Sequence, residues 1–234
     1  MAKTFSLIRT KRRSIALIVQ RDGTLVVRAP LRASLHKIEE LVSLKADWIR
    51  QKQALARRLP APAPHRFLPG ETFWYLGKIY PLQINIDFTT HLPWRAVPGQ
   101  VCGENSFVLN QGALPKAKEH FTAWYKAQAR RVIEERVQWF AARYGLHQKT
   151  GKRVRITSAR TRWGSCSASG ALSFTWRLVM APPAAIDYVV AHELAHLLVR
   201  NHSPAFWRKL GELLPDYRTP QQWLKQNGHL LTLD

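Results

Sequence analysis

From Ala184 to Val199 the chain runs without a proline or glycine, and apolar residues (Ile186, Val189, Val190, Leu194, Leu197, Leu198) cover nearly every side of the helix this stretch would form. Such a helix must be buried, so the remainder of the chain has to supply a core around it. Pro182-Pro183 suit its first turn. The same helix carries His192-Glu193-Leu194-Ala195-His196. Two imidazoles and a carboxylate inside an apolar helix need partners, because an unpaired buried charge is costly.

A metal ion satisfies all three. Histidines four apart lie one helical turn from each other on one face, so both rings can reach one ion. Glu193, next in sequence to the first histidine, can take a proton from a metal-activated water, which is the chemistry of the H-E-x-x-H pattern. The alternative is a buried helix whose histidines merely bond backbone carbonyls. A catalytic zinc site takes three protein ligands and leaves one position open. His202 is the leading third ligand, since Arg200-Asn201 can turn the chain back just past the helix. Glu212, on the following helix, is the alternative in the manner of a gluzincin. Val199 stands where a metzincin has glycine, and the only methionines, Met1 and Met180, lie upstream, so the metzincin pattern is disfavoured.

Several further motifs occur in order. They are Arg162-Trp163-Gly164-Ser165-Cys166-Ser167, Trp176-Arg177-Leu178, Asp187-Tyr188-Val189-Val190-Ala191 leading into His192, and Asn201-His202-Ser203-Pro204-Ala205-Phe206-Trp207. Together they resemble the YgjP-like family of predicted metal-dependent hydrolases, related to SprT and WLM-type zinc proteases. The resemblance is dense from about Arg153 to Trp223 and looser before it. It implies one zinc per chain on His192, His196 and His202, with Glu193 catalytic, in a zincin-like metallopeptidase domain.

Around the site, Trp163 to Cys166 reads as a strand beside the metal helix, an edge that could hold extended substrate. Arg162, Trp163, Gly164, Ser165 and Tyr217 are the candidate substrate-binding residues, with ordinary core packing as the competing account of Trp163, Cys166 and Tyr217. Tyr188 is a rival to Tyr217 for stabilising an oxyanion. Asp187 and Asp216 are candidates to orient a ligating histidine. Ser203 before Pro204 reads as an N-cap, starting a helix whose Phe206 and Trp207 would lock His202.

The expected fold is α+β: a β-rich N-terminal portion, then a zincin-like helical domain with a small sheet. The composition changes at Pro115, which suggests a basic region over 1–114 and the metallohydrolase domain over 115–234. In the first part, Phe5 to Thr10, Ser14 to Gln20 and Thr24 to Arg28 read as strands, with Arg21-Asp22-Gly23 as a turn. One basic helix is expected from Ser34 to Arg58, then a stiff Pro-Ala connector from Leu59 to Pro64. A hairpin is expected at Leu76-Gly77-Lys78, and two or three more strands up to Leu109. In the second part Lys116 to Tyr144 keeps a helical stripe ended by Gly145, and Arg153 to Thr157 and Ala171 to Phe174 read as strands.

Thirty-six Lys and Arg against 15 Asp and Glu give a net charge of +21. That field attracts polyanions, so nucleotide or nucleic acid stands beside a peptide or protein substrate among the candidate partners. Two alternatives to a peptidase follow. One is a nucleoside triphosphate pyrophosphatase on the same metal, with Arg153, Arg155, Arg160, Arg162 and Arg177 near the phosphates. The other is a basic nucleic-acid-binding module with a structural metal. A P-loop glycine pattern and a carboxylate cluster for magnesium are both lacking. Two cysteines, Cys102 and Cys166, cannot build a disulfide framework, and no apolar run reaches the length of a membrane span. With basic residues following a short apolar run at the amino terminus, the expectation is a soluble cytoplasmic protein.

Overall fold

The computed structural model describes residues 5–20, 22–58, 63–85, 106–148 and 154–233. Its contacts divide the chain into two compact units, Met1–Ala63 and Pro64–Asp234.

The first unit is a three-stranded sheet with two helices. Strands β1 (Ser6–Thr10), β2 (Ala16–Val19) and β3 (Leu25–Pro30) take the order β1-β3-β2, with β1 parallel and β2 antiparallel to the central β3. Gly23, at φ +83°, makes the turn between β2 and β3, and the Asp22 carboxylate accepts from the Thr24 N–H at 2.9 Å. Every second residue of β3 (Leu25, Val27, Ala29) packs with Ile38 and Ile49. The expected single basic helix is two, α1 (Leu35–Leu44) and α2 (Ala46–Arg58), broken at Lys45, which caps α1. Apolar periodicity runs through the break, and this is why it hid in the sequence. Ser34 caps α1 as expected, its side chain accepting from the Lys37 N–H at 3.3 Å. Residues 59–62 of the expected connector lie outside the described residues.

The second unit is α+β. It begins with β4 (Thr72–Tyr75) and β5 (Lys78–Asn85), a hairpin whose two turn residues, Leu76 and Gly77, both have positive φ, at +49° and +78°. A Cβ on Gly77 would sit 2.8 Å from the Pro182 Cα, so the hairpin turn is pressed against the chain just before the metal-motif helix. β6 (Phe107–Asn110) runs parallel to β5. Of the further strands expected here, residues 86–105 lie outside the described residues. The 27-residue helix α3 (Ala117–Arg143) follows, and Gly145 at φ +64° ends it, with the Leu146 N–H reaching back to the Ala141 carbonyl at 2.9 Å. Phe73, Phe107 and Phe121 form one aromatic cluster, with ring centroids 4.3 to 5.9 Å apart, and the Tyr125 hydroxyl donates to the Trp74 carbonyl at 2.6 Å. Strands β4 to β6 and α3 thus share a core, so the composition change at Pro115 does not coincide with the division between units.

A second small sheet has β7 (Arg155–Thr157), β8 (Gly164–Cys166) and β9 (Leu172–Thr175) in the order β7-β9-β8. β9 is its centre, parallel to β7 and antiparallel to β8, which leaves one side of β8 without a strand partner among the described residues. Three helices close the unit: α4 (Pro183–Ala195), α5 (Pro204–Leu213) and α6 (Arg218–Asn227). α4 is buried as its apolar circumference requires, between α3, β8, α5 and α6. No helix among the described residues is long and apolar enough to cross a membrane.

Candidate metal centre

α4 is shorter than its sequence pattern suggests. It ends at Ala195, and the next residues tighten into i to i+3 bonds, Leu197 N–H to the Leu194 carbonyl and Leu198 N–H to the Ala195 carbonyl, both 3.0 Å. That tightening brings the Val199 carbonyl within 3.2 Å of His196 Nδ1. Since a carbonyl only accepts, Nδ1 carries the proton and His196 Nε2 keeps a free lone pair. The chain then reverses through Arg200-Asn201 and returns His202 to the helix. His202 Nε2 lies 3.0 Å from His192 Nε2, and the three rings sit 4.7 to 5.0 Å apart by centroid. Ser203 stands at the N-cap position of α5 without a side-chain capping bond, Pro204 opens the first turn, and that helix places Phe206 against all three rings, at 4.5 to 4.9 Å. Trp207 flanks His202 at 5.8 Å.

The donor set fits a cation. One nitrogen from each of His192, His196 and His202 lies within 4.8 Å of the others. Two nitrogens bound to one tetrahedral ion at about 2.0 to 2.1 Å stand about 3.3 Å apart, close to the separation of His192 and His202. Burial, and then the neighbouring His196 and His202, push His192 down to about 4, so that ring is neutral at physiological pH. Burial also lowers His196. His192 Nδ1 is buried without a hydrogen-bond partner. Three imidazole nitrogens crowded on one point, with no carboxylate among them, suit a shared metal.

The Glu193 side chain packs against β8. It is 6% exposed. A Cβ on Gly164 would fall 2.7 Å from both its Cγ and its Oε1, so only a glycine lets the strand pass this close. Burial raises the carboxyl to about 7, opposed by the charge of Arg162 and a hydrogen bond from the Cys166 backbone N–H. A carboxyl poised near neutrality can take and return a proton at working pH.

Residues 13–227 match the family model described as YgjP-like, metallopeptidase domain. The chain belongs to the YgjP-like family. Among solved structures it is similar to the metallopeptidase zymogen of Pyrococcus abyssi abylysin, with 20% identity, TM-score 0.36, and coverage of 40% of this chain and 93% of that one. It is also similar to the metallopeptidase zymogen of Methanocaldococcus jannaschii jannalysin, with 19% identity, TM-score 0.36, and coverage of 42% and 96%. No curated protein matches it. The family makes this chain a hydrolase of metallopeptidase type.

The remaining expected residues of this YgjP-like chain fall into separate places. Trp163 packs on the close turn at Gly228, where a Cβ would come 2.7 Å from its Cζ2. Ser165 and Arg162 line a groove over the second sheet. Tyr217 stacks on Trp207 at 5.8 Å, and Tyr188 sits edge-on to His192 at 5.8 Å with its hydroxyl accepting from Gln221. Glu212, the alternative ligand, is exposed and paired with Lys209 instead. Asp187 does not orient a histidine; both its oxygens are held by Arg136 of α3, at 2.5 and 2.9 Å. Asp216 accepts from Thr219. Arg177 is buried, 4.3 Å over the Trp176 ring, with a bond to the Ser158 carbonyl, while Arg160 is exposed and Arg153 lies outside the described residues. Burial raises the free Cys166 thiol, so nothing here marks it as an activated thiolate. Two positions escaped sequence reasoning. Arg200 donates to the Ser167 and Ala168 carbonyls, at 2.6 and 2.7 Å, tying the chain beyond α4 to the β8–β9 turn. Arg130 of α3 joins Arg162 in the groove.

Proposed function

We propose that this chain is a zinc-dependent peptidase in which His192, His196 and His202 hold the metal and Glu193 is the general base. The observation that carries it is the convergence of the His192, His196 and His202 nitrogens within 4.8 Å of one another, on and just past the helix that carries Glu193, whose buried carboxyl is raised to about 7. Three nitrogen donors with no carboxylate among them favour zinc, which takes three histidines and keeps a fourth position open. Zinc held there supplies a Lewis acid that polarises the scissile carbonyl and makes water a nucleophile near neutral pH.

The protein does the rest. Glu193 takes the proton of the attacking water at its carboxylate and delivers it to the departing amine nitrogen. A metal held by the three imidazoles would favour the carboxylate form of Glu193, the form that accepts the proton. Gly164 leaves room for that carboxylate, and the Cys166 N–H holds its orientation. An extended peptide can add to the side of β8 that has no strand partner among the described residues, exchanging backbone hydrogen bonds there while its scissile bond passes the histidines.

Elemental analysis of the purified chain, paired with a peptide-cleavage assay, tests this. About one zinc per chain is expected, kept in Glu193→Gln and in Glu212→Ala, and weakened by at least about tenfold in affinity in His202→Ala. Stoichiometric metal in His202→Ala would remove that residue from the ligand set. Nucleoside triphosphate turnover that depends on Glu193, with no peptide cleaved, would move the reading to the phosphoanhydride bond.

A further inference from the structure

Alternate residues of the second sheet face opposite ways. Ile156, Phe174 and Gly164 form one cross-strand row, turned inward: Phe174 is fully buried and Gly164 meets Glu193. The neighbouring row is Arg155, Ser173 and Ser165, on the opposite, outer face. Over that polar row lies a groove of about 870 Å³, and Arg130 from α3 and Arg162 from the start of β8 also line it. Its near end is bounded by Cys166, whose backbone N–H bonds the Glu193 carboxylate, and Arg162 is close enough for its charge to act on that same carboxylate. The groove therefore adjoins the strand against which Glu193 is seated.

Its chemistry is one-sided. No lining residue among the described ones is acidic, and none of Arg130, Arg155 and Arg162 forms an ion pair with a described carboxylate. Arg200 lies near but is already committed to the two carbonyls of the β8–β9 turn. Three guanidiniums with no ion-pair partner among the described residues, beside serine hydroxyls, suit carboxylate or phosphate oxygens. Two features favour carboxylate. Among the described residues the lining has no aromatic ring on which a nucleobase could stack, and no acidic group to hold the magnesium that accompanies a nucleoside triphosphate. The row also flanks the open strand β8, along which an extended chain would place alternate side chains over it.

We propose that this groove is a substrate subsite that selects peptides bearing aspartate or glutamate close to the scissile bond, through Arg130, Arg155 and Arg162. It rests on the peptidase reading above and names the substrate class that reading leaves open. Specificity thus comes from the outer face of the same sheet whose inner face seats the catalytic carboxylate.

The test uses the full chain as Glu193→Gln, so that binding is read without turnover. Fluorescence anisotropy compares a short labelled peptide rich in glutamate with the same peptide carrying glutamine. The glutamate peptide is expected to bind at least about tenfold tighter, the gain of a charge-assisted arginine pair over a neutral one. Adding Arg130→Gln and Arg155→Gln should shrink that preference below about threefold, whereas Lys126→Gln, an exposed charge elsewhere on α3, should leave it intact. Equal binding of the two peptides would overturn the proposal without reference to any arginine variant. So would an equal loss in Lys126→Gln, which would assign the effect to net charge alone. A nucleoside triphosphate that displaces the peptide and binds more tightly with the same arginine dependence would overturn it as well. Cleavage by the zinc-loaded chain with Glu193 intact separates the two readings. Peptides cut without acidic preference sink the subsite and keep the peptidase; acidic peptides bound through the arginines but left uncut support the groove and sink the peptidase.

Discussion

Two half-hidden carboxylates in the second unit meet opposite fates. Glu71 sits in the loop ahead of β4, where burial alone would raise its carboxyl. The Leu68 N–H, His65 Nδ1 and the Arg66 N–H outweigh burial and hold it below the ordinary value, at distances of 2.7 to 3.1 Å. Glu193 is buried against β8 with a single backbone N–H and the distant charge of Arg162, and burial wins. Depth of burial and donor count together separate them. A carboxylate given three donors is a fixed anion that organises a loop, while one given a single donor in an apolar helix is left able to exchange a proton.

The sharpest way to break that comparison is to neutralise each in turn. Glu193→Gln is expected to lose about a thousandfold or more in peptide hydrolysis, the scale of a lost general base, while keeping its metal and its melting temperature. Glu71→Gln should do the reverse. It keeps hydrolysis within about twofold and loses about 1 to 3 kcal/mol of stability in a denaturant melt, because three donors are left facing an amide that cannot accept them all. Equal activity losses in the two variants would end the distinction.

Much of the site was legible because it is local. The spacing of His192 and His196, the N-cap position of Ser203, and Gly145 after α3 each act within a turn or two, and residue type alone discloses them. The H-E-x-x-H helix even declared its own burial, since its apolar residues cover the whole circumference. What stayed hidden depends on distant partners. Asp187 was open to several roles until Arg136, 51 positions earlier, closed on it across α3 and α4. Glu212 was a credible ligand until the turn at Arg200-Asn201 delivered His202 and left Glu212 outward on α5 beside Lys209. Arg130 gave no signal, because a basic residue on an exposed helix face looks the same whether or not a sheet lies opposite. The core shared by β4–β6 and α3 likewise joins segments on both sides of Pro115, which composition cannot see.

Gly164 offers a finer probe, because the three nearest atoms that a methyl there would meet all belong to the Glu193 side chain. Gly164→Ala places a methyl 2.7 Å from Glu193 Cγ and Oε1, and the atoms that must yield are the end of one side chain. The glutamate can swing aside at modest cost in stability, under about 1.5 kcal/mol. Displacement of the base by about an ångström should still cost roughly a hundredfold in turnover. A variant that melts like the parent and hydrolyses poorly would show that β8 positions Glu193. One that unfolds early would show instead that the strand-helix contact is chiefly structural.

The smallest effect concerns the fixed anion and is read in acid. Because the folded Glu71 carboxyl titrates below its ordinary value of 4.5, the unfolded chain binds the proton more readily. Its stabilising contribution is therefore complete above that ordinary value and drains away as pH falls through 4.5 toward the lower folded value. Thermal melts of the parent and Glu71→Gln from about pH 6 to pH 3 should show a gap that is constant at the upper end and narrows in acid, once the parent carboxyl is itself neutral. His65 shares the hydrogen bond to Glu71 Oε1, so the comparison is repeated in His65→Asn, which removes the ring and keeps the carboxylate. Narrowing in both backgrounds assigns the acid sensitivity to the Glu71 carboxylate and its backbone donors. A gap that persists undiminished at the lowest pH would mean that the loop is held by the shape of the side chain rather than by its charge.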